Sequence, residues 1–160
     1  MIPTTQEQKM ETRIQGLELF KGALNTKELY TSWYAFACEN NLGANGIFTG
    51  IVRDEKGCEG LSFDIYQPLL ENWFQSWSKK ALQNGAFLKM AHSMGDVFNH
   101  QSSYMAGVFS SQRRACLNIF EDFIEDFKHN APIWKYDLKD KKRIYAKDRS
   151  HKLPYSGLLS

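Results

Sequence analysis

Two segments of the chain have apolar side chains at three- and four-residue steps, the period of a helix with one buried face. The first begins near Leu69 and ends at Gly85, with apolar positions at Leu70, Trp73, Phe74, Trp77 and Ala81. The second runs from about Ser111 to Lys128, and its stripe consists of Cys116, Ile119, Phe120, Phe123, Ile124 and Phe127. Pro132 prevents that helix from continuing. A third helix is predicted from Thr26 to Glu39, with Asn25 as a candidate cap.

The remaining apolar segments are short, rich in β-branched or aromatic residues, and predict strands. Their expected bounds are 17–24, 43–53, 61–66, 86–91 and 104–109, with one further strand at 143–146. We expect His92 to Asp96 to connect two of these strands as a turn. The element order predicts a single α+β domain over residues 1–160, in which helices cover a mainly antiparallel sheet. Residues up to about Glu11 form a flexible polar lead-in in this prediction.

Charge is unevenly distributed along the chain. The segment from Lys135 to Lys152 has eight Lys or Arg residues against three Asp, whereas the rest of the chain is mildly acidic. This basic tail, residues 135–160, indicates a localised anion site more than a general nucleic-acid surface. A solvated basic tail without a ligand remains the alternative.

Several function classes lack their sequence signals. Cys38, Cys58 and Cys116 are widely spaced and odd in number, which favours reduced thiols over disulfides or a metal site. The four histidines lack the spacing of metal-ligand motifs, so no metal is expected. The polar start of the chain lacks an apolar signal region, and no run has membrane-spanning length. The sequence therefore predicts a cytoplasmic protein that does not contact a membrane.

Cations surround the second predicted helix. Arg113 and Arg114 stand at its start, Lys128 at its end, Lys135 shortly after it, and Arg53 at the end of a strand that contains glycine. Cations that converge near an apolar, Trp-containing wall suit a phosphorylated aromatic heterocycle. Each cation alone has a simpler explanation, since a lysine at a helix C-terminus often only complements the helix dipole.

Five ordered motifs resemble those of one family. They are GIFTGIVR (46–53), LSFDIY (61–66), HSMGDV (92–97), SSQRRACL (110–117) and FKHNAPIWKYD (127–137). The last is similar to a specific signature in which a lysine precedes a Pro-apolar-Trp-Lys block. Together the motifs resemble the large, catalytic subunit of molybdopterin synthase, and the similarity extends from Leu17 to Ala146.

The resemblance implies roles for individual positions. Lys128 and Lys135 match catalytic lysines of the family, and Arg53 and Arg113 match residues that hold the anionic groups of the substrate. Lys128 would transfer a proton or attach transiently to substrate, because burial among cations lowers the pKa of a lysine.

Other positions are matched less closely. Tyr136 and Asp137 follow the signature and are expected to line the pocket, and Arg149 is the candidate for a tail arginine that reaches a neighbouring subunit. Gln112 stands where the family usually has His, and Ser93 where it often has Arg. Because glutamine does not exchange a proton near neutral pH, Gln112 is expected to orient substrate by hydrogen bonding.

The family likeness also implies a fold, a reaction and partners. The fold would be an α/β-hammerhead-like core with an added, mainly antiparallel β subdomain. The reaction would install two sulfurs on cyclic pyranopterin monophosphate, without a metal or organic cofactor. The sulfur would arrive as a thiocarboxylate on the Gly-Gly end of a small ubiquitin-like subunit, and the large subunits would pair into a dimer. Gly46 and Gly50 are expected to let that thin tail approach the backbone.

Two alternatives remain at this point. The basic tail and the aromatic residues also fit a small nucleic-acid-binding protein, although that function leaves the placement of Lys128 and Lys135 around Pro-Ile-Trp unexplained. The substitutions at Gln112 and Ser93 also fit an inactive, purely structural relative.

Overall fold

The structure, a computed structural model, describes residues 8–55 and 57–146. In these two ranges three helices cover one continuous sheet of eight strands. The helices are α1 (Thr26–Glu39), α2 (Gln67–Gln83) and α3 (Arg113–Asn130). The strands are β1 (Lys9–Met10), β2 (Leu17–Lys21), β3 (Ala44–Ile51), β4 (Gly60–Ile65), β5 (Ala86–Phe98), β6 (Ser102–Ser110), β7 (Ile133–Lys139) and β8 (Lys142–Tyr145).

The predicted α+β class with a mainly antiparallel sheet is confirmed. Among the strands of the described residues, β2 and β5 form the parallel pair, and the other pairs are antiparallel. Parallel pairing requires a long crossover, and the chain between β2 and β5 supplies one. The pairs β3–β6 and β4–β7 flank β5 on different parts of its length, so the sheet has two arms.

Strand β5 joins the two arms because it is unusually long, at 13 residues. Its first part, up to His92, pairs with β6, and its last part, from Gly95 to Phe98, pairs with β4. Gly95 has a φ of +82°, a conformation that glycine adopts at little cost. The strand therefore changes partners at Gly95 without ending there.

The prediction of a turn between His92 and Asp96 is wrong for this reason. Polar and small residues in HSMGDV indicated a break, but β5 continues through them. Ser93 is fully buried, and the side chain of Asp96 accepts a 2.6 Å hydrogen bond from Ser62 on β4. Asp96 and Ser62 thus satisfy each other between strands instead of forming a loop, whereas the buried hydroxyl of Ser93 has no hydrogen-bond partner among the described residues.

The helices lie close to their predicted bounds. The bounds of α1 are those predicted, and the side chain of Asn25 caps it by accepting a hydrogen bond from the amide of Glu28. Helix α2 begins two residues earlier than expected, with Pro68 in its first turn, where proline lacks only an amide that has no partner. Gly85 follows α2 with a φ of +79°, as a helix-terminating glycine does.

Both ends of the described chain are more regular than predicted. Lys9 and Met10 form a strand against β2, although they were assigned to the lead-in. The first part of the basic tail also contains β7, which was not predicted and pairs with β4, whereas β8, which pairs with β7, lies within one residue of the strand predicted at 143–146. No helix within the described residues is long and apolar enough to cross a membrane.

Helices α2 and α3 pack against each other and on the sheet through aromatic side chains. Phe123 of α3 is fully buried, and its ring contacts those of Trp73, Phe74 and Trp77 on α2 at centroid distances of 5.4 to 6.2 Å. The indole nitrogens of Trp73 and Trp77 both donate to Oδ2 of Asp126, at 2.9 and 2.6 Å. Burial opposes ionisation of Asp126, but the hydrogen bonds from Trp77, Asn130 and Trp73 hold its pKa below the ordinary value.

We predict that Phe123→Ala lowers the free energy of unfolding by about 3–5 kcal/mol, because it removes a buried ring and leaves a cavity between the helices. Urea denaturation of the purified variant measures this loss. Phe98→Ala is the matched control, since half of that ring is exposed, and its loss should stay below about 1 kcal/mol. Equal losses in the two variants would contradict the packing described here.

Candidate active site

A cavity of about 450 Å³ lies where the two arms of the sheet meet, beside the C-terminal end of α3. Strands β3 to β7 and the last turn of α3 contribute to its wall. Its residues are Gly50, Ile51, Val52, Arg53, Glu55, Cys58, Gly60, Leu61, Phe63, His92, Ser103, Tyr104, Phe127, Lys128, Ile133, Lys135 and Asp137. The change of partner along β5 creates this space, because β4 and β6 diverge from the same strand.

Three of the predicted cations line this cavity from three different elements. Lys128 is in the last turn of α3, Lys135 is on β7, and Arg53 follows β3 by two residues. Lys128 and Arg53 are exposed, whereas Lys135 is half-buried. Segments far apart in sequence thus bring three positive side chains to one concave surface, as the cation pattern predicted.

Acidic side chains share the same wall. A guanidinium nitrogen of Arg53 lies 3.2 Å from Oε1 of Glu55, and both side chains are substantially exposed. Asp137 lies two residues beyond Lys135 on the same face of β7 and also lines the cavity, as predicted. An exposed ion pair contributes little to stability, so an incoming anion can replace Glu55 at Arg53 at low cost.

Another part of the cavity wall is aromatic, and its residues Phe63, His92 and Tyr104 are buried. Gly50, Tyr104 and His92 are direct cross-strand neighbours on β3, β6 and β5. The Tyr104 ring lies flat on Phe127, with centroids 3.9 Å apart and planes 9° apart. The ring of Phe63 meets His92 edge-on at 5.0 Å. The cavity therefore combines cations with a flat apolar surface.

This aromatic wall was missed from sequence. His92 had no predicted role in the site, but it is buried and lines the cavity, and its Nδ1 lies 2.7 Å from the carbonyl oxygen of Ser93. Every residue of β6 is buried, so Tyr104 had no alternating pattern to mark the face on which it lies. The available signal for His92 was its place within the HSMGDV motif.

Tyr136 is not among the residues of the cavity, contrary to prediction. Successive side chains of a strand point to opposite faces, so Tyr136 faces away from its neighbours Lys135 and Asp137. It lies 3.9 Å under the guanidinium of Arg143, which forms a 2.8 Å ion pair with Asp64. Burial and a hydrogen bond to Asp64 raise the pKa of Tyr136.

Gln112 and Arg113 are also outside the cavity of this chain. They stand at the N-terminal end of α3, and Lys128 stands at the other end. Fifteen residues of helix separate Arg113 from Lys128, which corresponds to about 22 Å. Gln112 is exposed, and its side chain makes no capping hydrogen bond to the helix. Arg149 lies outside the described residues.

The two strand glycines have different surroundings. A Cβ on Gly46 would lie 2.9 Å from Cδ1 of Phe120, so close packing of α3 on β3 requires this glycine. Gly46 is also not among the residues of the cavity, so helix packing explains this glycine here, and a role in admitting a partner's tail stays a prediction. Gly50 lines the cavity, and a Cβ there would lie 3.2 Å from Cβ of Tyr104.

The three cysteines are free, as expected. Cys116 packs in the core between α3 and β6, where burial raises the pKa of its thiol, as its apolar stripe predicted. Cys58 is half-buried and lines the cavity. Across residues 8–55 and 57–146, no group of three or more His, Cys, Asp or Glu side chains is placed to hold a metal ion.

Comparisons with known proteins give the family of this chain. Residues 22–130 match the model of the family described as MoaE protein. A molybdopterin synthase catalytic subunit of Helicobacter pylori is 54% identical to this chain over 144 residues. That alignment covers 90% of this chain and 99% of the relative.

Solved structures give the same result. One is a protein-protein complex of subunits 1 and 2 of molybdopterin-converting factor from Helicobacter pylori 26695. It superposes with a TM-score of 0.85 and 54% identity, over 90% of this chain and 99% of the other. Molybdopterin synthase from Staphylococcus aureus superposes with a TM-score of 0.69 over 83% and 98% of the two chains, but at 21% identity it supports the fold alone.

The family model covers well over half of the sequence, and the Helicobacter relative extends the match to nine tenths of it. Within the family match, the end of α3 supplies Lys128 to the cavity. This chain belongs to the MoaE family, to which molybdopterin synthase catalytic subunits belong.

Proposed function

We propose that this chain, as a molybdopterin synthase catalytic subunit, transfers sulfur to cyclic pyranopterin monophosphate in the cavity described above. One observation carries the proposal: Lys128, Lys135 and Arg53 face the same cavity as a buried aromatic wall. A phosphorylated pterin needs both surfaces, since its phosphate is anionic and its ring is flat. The relatives support neither a nucleic-acid-binding protein nor an inactive structural protein.

Arg53 binds the phosphate group in this proposal. A guanidinium offers two parallel donors to a phosphate, which gives orientation as well as charge. The exposed contact with Glu55 occupies one of these nitrogens in the free chain. Phosphate would replace the carboxylate of Glu55 at Arg53, and it carries more negative charge than that carboxylate.

Lys128 and Lys135 act on the reacting atoms. The thiocarboxylate is an anionic nucleophile, and two ammonium groups attract it to the substrate carbon and stabilise or protonate the oxygen that leaves. Lys135 is anchored on β7 and half-buried, whereas Lys128 is exposed. Lys128 is not buried in this chain alone, so in this proposal bound substrate and partner chains bury it.

The sulfur donor is the Gly-Gly thiocarboxylate of a small ubiquitin-like subunit. A solved relative with 54% identity is a complex of two different subunits, which supports a partner of this kind. The cavity is open where Arg53 and Lys128 are exposed. A tail without side chains is narrow enough to enter there alongside a bound pterin.

A second copy of this chain completes the site. If Gln112 and Arg113 contact the same substrate as Lys128, they cannot come from the same helix, because about 22 Å separates its ends. Pairing of two copies across a twofold axis brings the N-terminal end of one α3 toward the cavity of the other. Arg149 is proposed to reach the neighbouring site in the same way. The reaction would require no metal or organic cofactor and would take place in the cytoplasm.

We predict that Lys128→Ala lowers the rate of molybdopterin formation by at least about a hundredfold, because it removes a proton donor to the reacting atoms. The measurement uses purified chain and thiocarboxylated small subunit, with thermal unfolding to show that the fold is intact. Lys79→Ala, an exposed lysine of α2 away from the cavity, should keep its full rate. A Lys128→Ala variant with normal turnover would refute the assignment.

Mixed dimers test whether two copies share one site. We predict that Lys128→Ala and Arg113→Ala are each nearly inactive alone, and that mixing them after dissociation restores about a quarter of the normal activity. Half of the dimers are then mixed, and each of these has one intact site. If both residues served the site of their own chain, no mixed dimer would contain an intact site and mixing would restore nothing.

We predict that Gln112→His changes the rate at pH 7.5 by less than about threefold, because either side chain can position substrate by hydrogen bonding. Protonation of the new histidine below about pH 6.5 adds a cation, so the affinity for the anionic substrate should rise as the pH falls through that value. A pH–rate profile of both forms gives the comparison. A rate gain of several orders of magnitude would show instead that the site lacks a proton carrier.

A further inference from the structure

Asp126 is an acidic residue on the face of α3 that packs on α2. It follows the buried residues Ile119 and Phe123 at helical spacing and is itself half-buried, whereas the neighbouring Glu125 is exposed. A carboxylate loses hydration in such a place, and carboxylates are seldom buried unless they are paired. Its placement there therefore depends on the partners that replace water.

Three donors from two helices share this carboxylate. The indole nitrogens of Trp73 and Trp77 on α2 donate to Oδ2 at 2.9 and 2.6 Å, and the side-chain amide of Asn130 donates to Oδ1 at 2.5 Å. Burial alone would raise the pKa of Asp126, but these hydrogen bonds hold it below the ordinary value, so the group accepts them as an anion. Hydrogen bonds to an ionised acceptor are shorter and stronger than neutral ones. Asp126 thus joins α3 to α2 by charge-assisted bonds.

The ring contacts between these helices restrain α3 less closely than the hydrogen bonds do. The ring of Trp73 lies 5.5 Å from that of Phe123 and 6.1 Å from that of Phe127, centroid to centroid. Dispersion between rings changes little when one helix turns slightly about its axis, whereas a hydrogen bond weakens steeply as its angle closes. Two indole donors one turn apart on α2 therefore fix the rotation of the last turn of α3 as well as its distance from α2.

The two residues directly after Asp126, Phe127 and Lys128, line the cavity. Successive side chains leave a helix about 100° apart, so any rotation of the last turn moves both relative to the cavity. Phe127 has a second restraint, because its ring stacks on Tyr104 at 3.9 Å. Lys128 is exposed, so its placement depends on the backbone of the last turn.

We propose that Asp126 is a positioning residue for sulfur transfer, which places Lys128 at the reacting atoms by holding the last turn of α3 on Trp73 and Trp77. The inference rests on the proposed function of Lys128 and extends it to a residue that is not part of the cavity. Because Arg53 binds the phosphate from a different element, loss of the carboxylate should lower turnover and leave substrate affinity nearly unchanged.

Asp126→Asn tests the proposal in the complete synthase complex, because it keeps the shape of the side chain and removes its charge. The amide nitrogen of asparagine accepts no hydrogen bond, and its neutral oxygen is a weaker acceptor than a carboxylate. We expect kcat for molybdopterin formation to fall about five- to twentyfold, because a misplaced group loses rate steeply. The Kd of cyclic pyranopterin monophosphate, from equilibrium titration, should change less than about twofold. A normal kcat, or a loss of affinity as large as the loss of kcat, would overturn the proposal.

The same substitution in a Lys128→Ala background shows whether Asp126 acts through that lysine. Without the ammonium group there is nothing left to position, so Asp126→Asn should cause no further loss of the single-turnover rate. A further loss by the same factor would show a general disturbance of the site and would overturn the proposal. Failure of the proposed function is a distinct result, because the unaltered complex would then form no molybdopterin.

Trp77→Phe and Trp33→Phe are a matched pair of variants. Each replaces a buried indole with a smaller ring and removes one donor to a carboxylate, since Trp33 donates to Oε2 of Glu18 at 3.1 Å. Trp33 packs between α1 and the sheet and does not line the cavity. Trp77→Phe should lower kcat about three- to tenfold, whereas Trp33→Phe should keep the normal rate even where it lowers the midpoint of thermal unfolding as much. Equal losses of rate in the two variants would show an effect of stability alone and would overturn the proposal.

Discussion

The continuity of β5 is the constraint on which the site depends. A strand of 13 residues pairs first with β6 and then with β4, and Gly95 permits the change with a backbone conformation that other residues rarely adopt. If the chain turned at this point, the two arms of the sheet would be separate hairpins with no fixed relation. Since one strand belongs to both arms, Lys135 on β7 and Tyr104 on β6 are held in one cavity.

The two walls of the cavity are maintained by different physical means. The aromatic wall is buried, so dispersion and the exclusion of water fix its rings without any need for hydrogen bonds. The cationic wall cannot be buried in the free chain, because desolvated ammonium and guanidinium groups of one sign would be costly. Lys128 and Arg53 therefore remain exposed, and Glu55 and Asp137 offset part of the charge. A rigid apolar surface and flexible polar groups thus line the same cavity.

Much of the fold could be predicted from sequence, because amphipathic periods and caps are local signals. Helix α1 was placed at its observed bounds, since Asn25 and the apolar period agree. Strand β7 was not predicted, because it lies in a charged segment. Its charged residues Lys135 and Asp137 line a cavity that exists only in the folded chain. Tyr104 was hidden for the opposite reason, since β6 is buried on both faces and has no alternation. Of the predicted site residues, the three cations at 53, 128 and 135 and Asp137 share the cavity, whereas strand alternation turns Tyr136 away.

The shared carboxylate of Asp126 has a consequence for the lysine two residues after it. Both indole nitrogens of α2 bind Asp126, so the last turn of α3 is attached to a neighbouring helix just before Lys128. The Cα of Lys128 therefore has little freedom, while its four-carbon chain retains many rotamers. The side chain of Lys128 is therefore mobile around a fixed Cα. Its ammonium group can move through a small volume of the cavity while the backbone stays still: the fixed Cα sets where that volume is centred, and the length of the side chain sets its size.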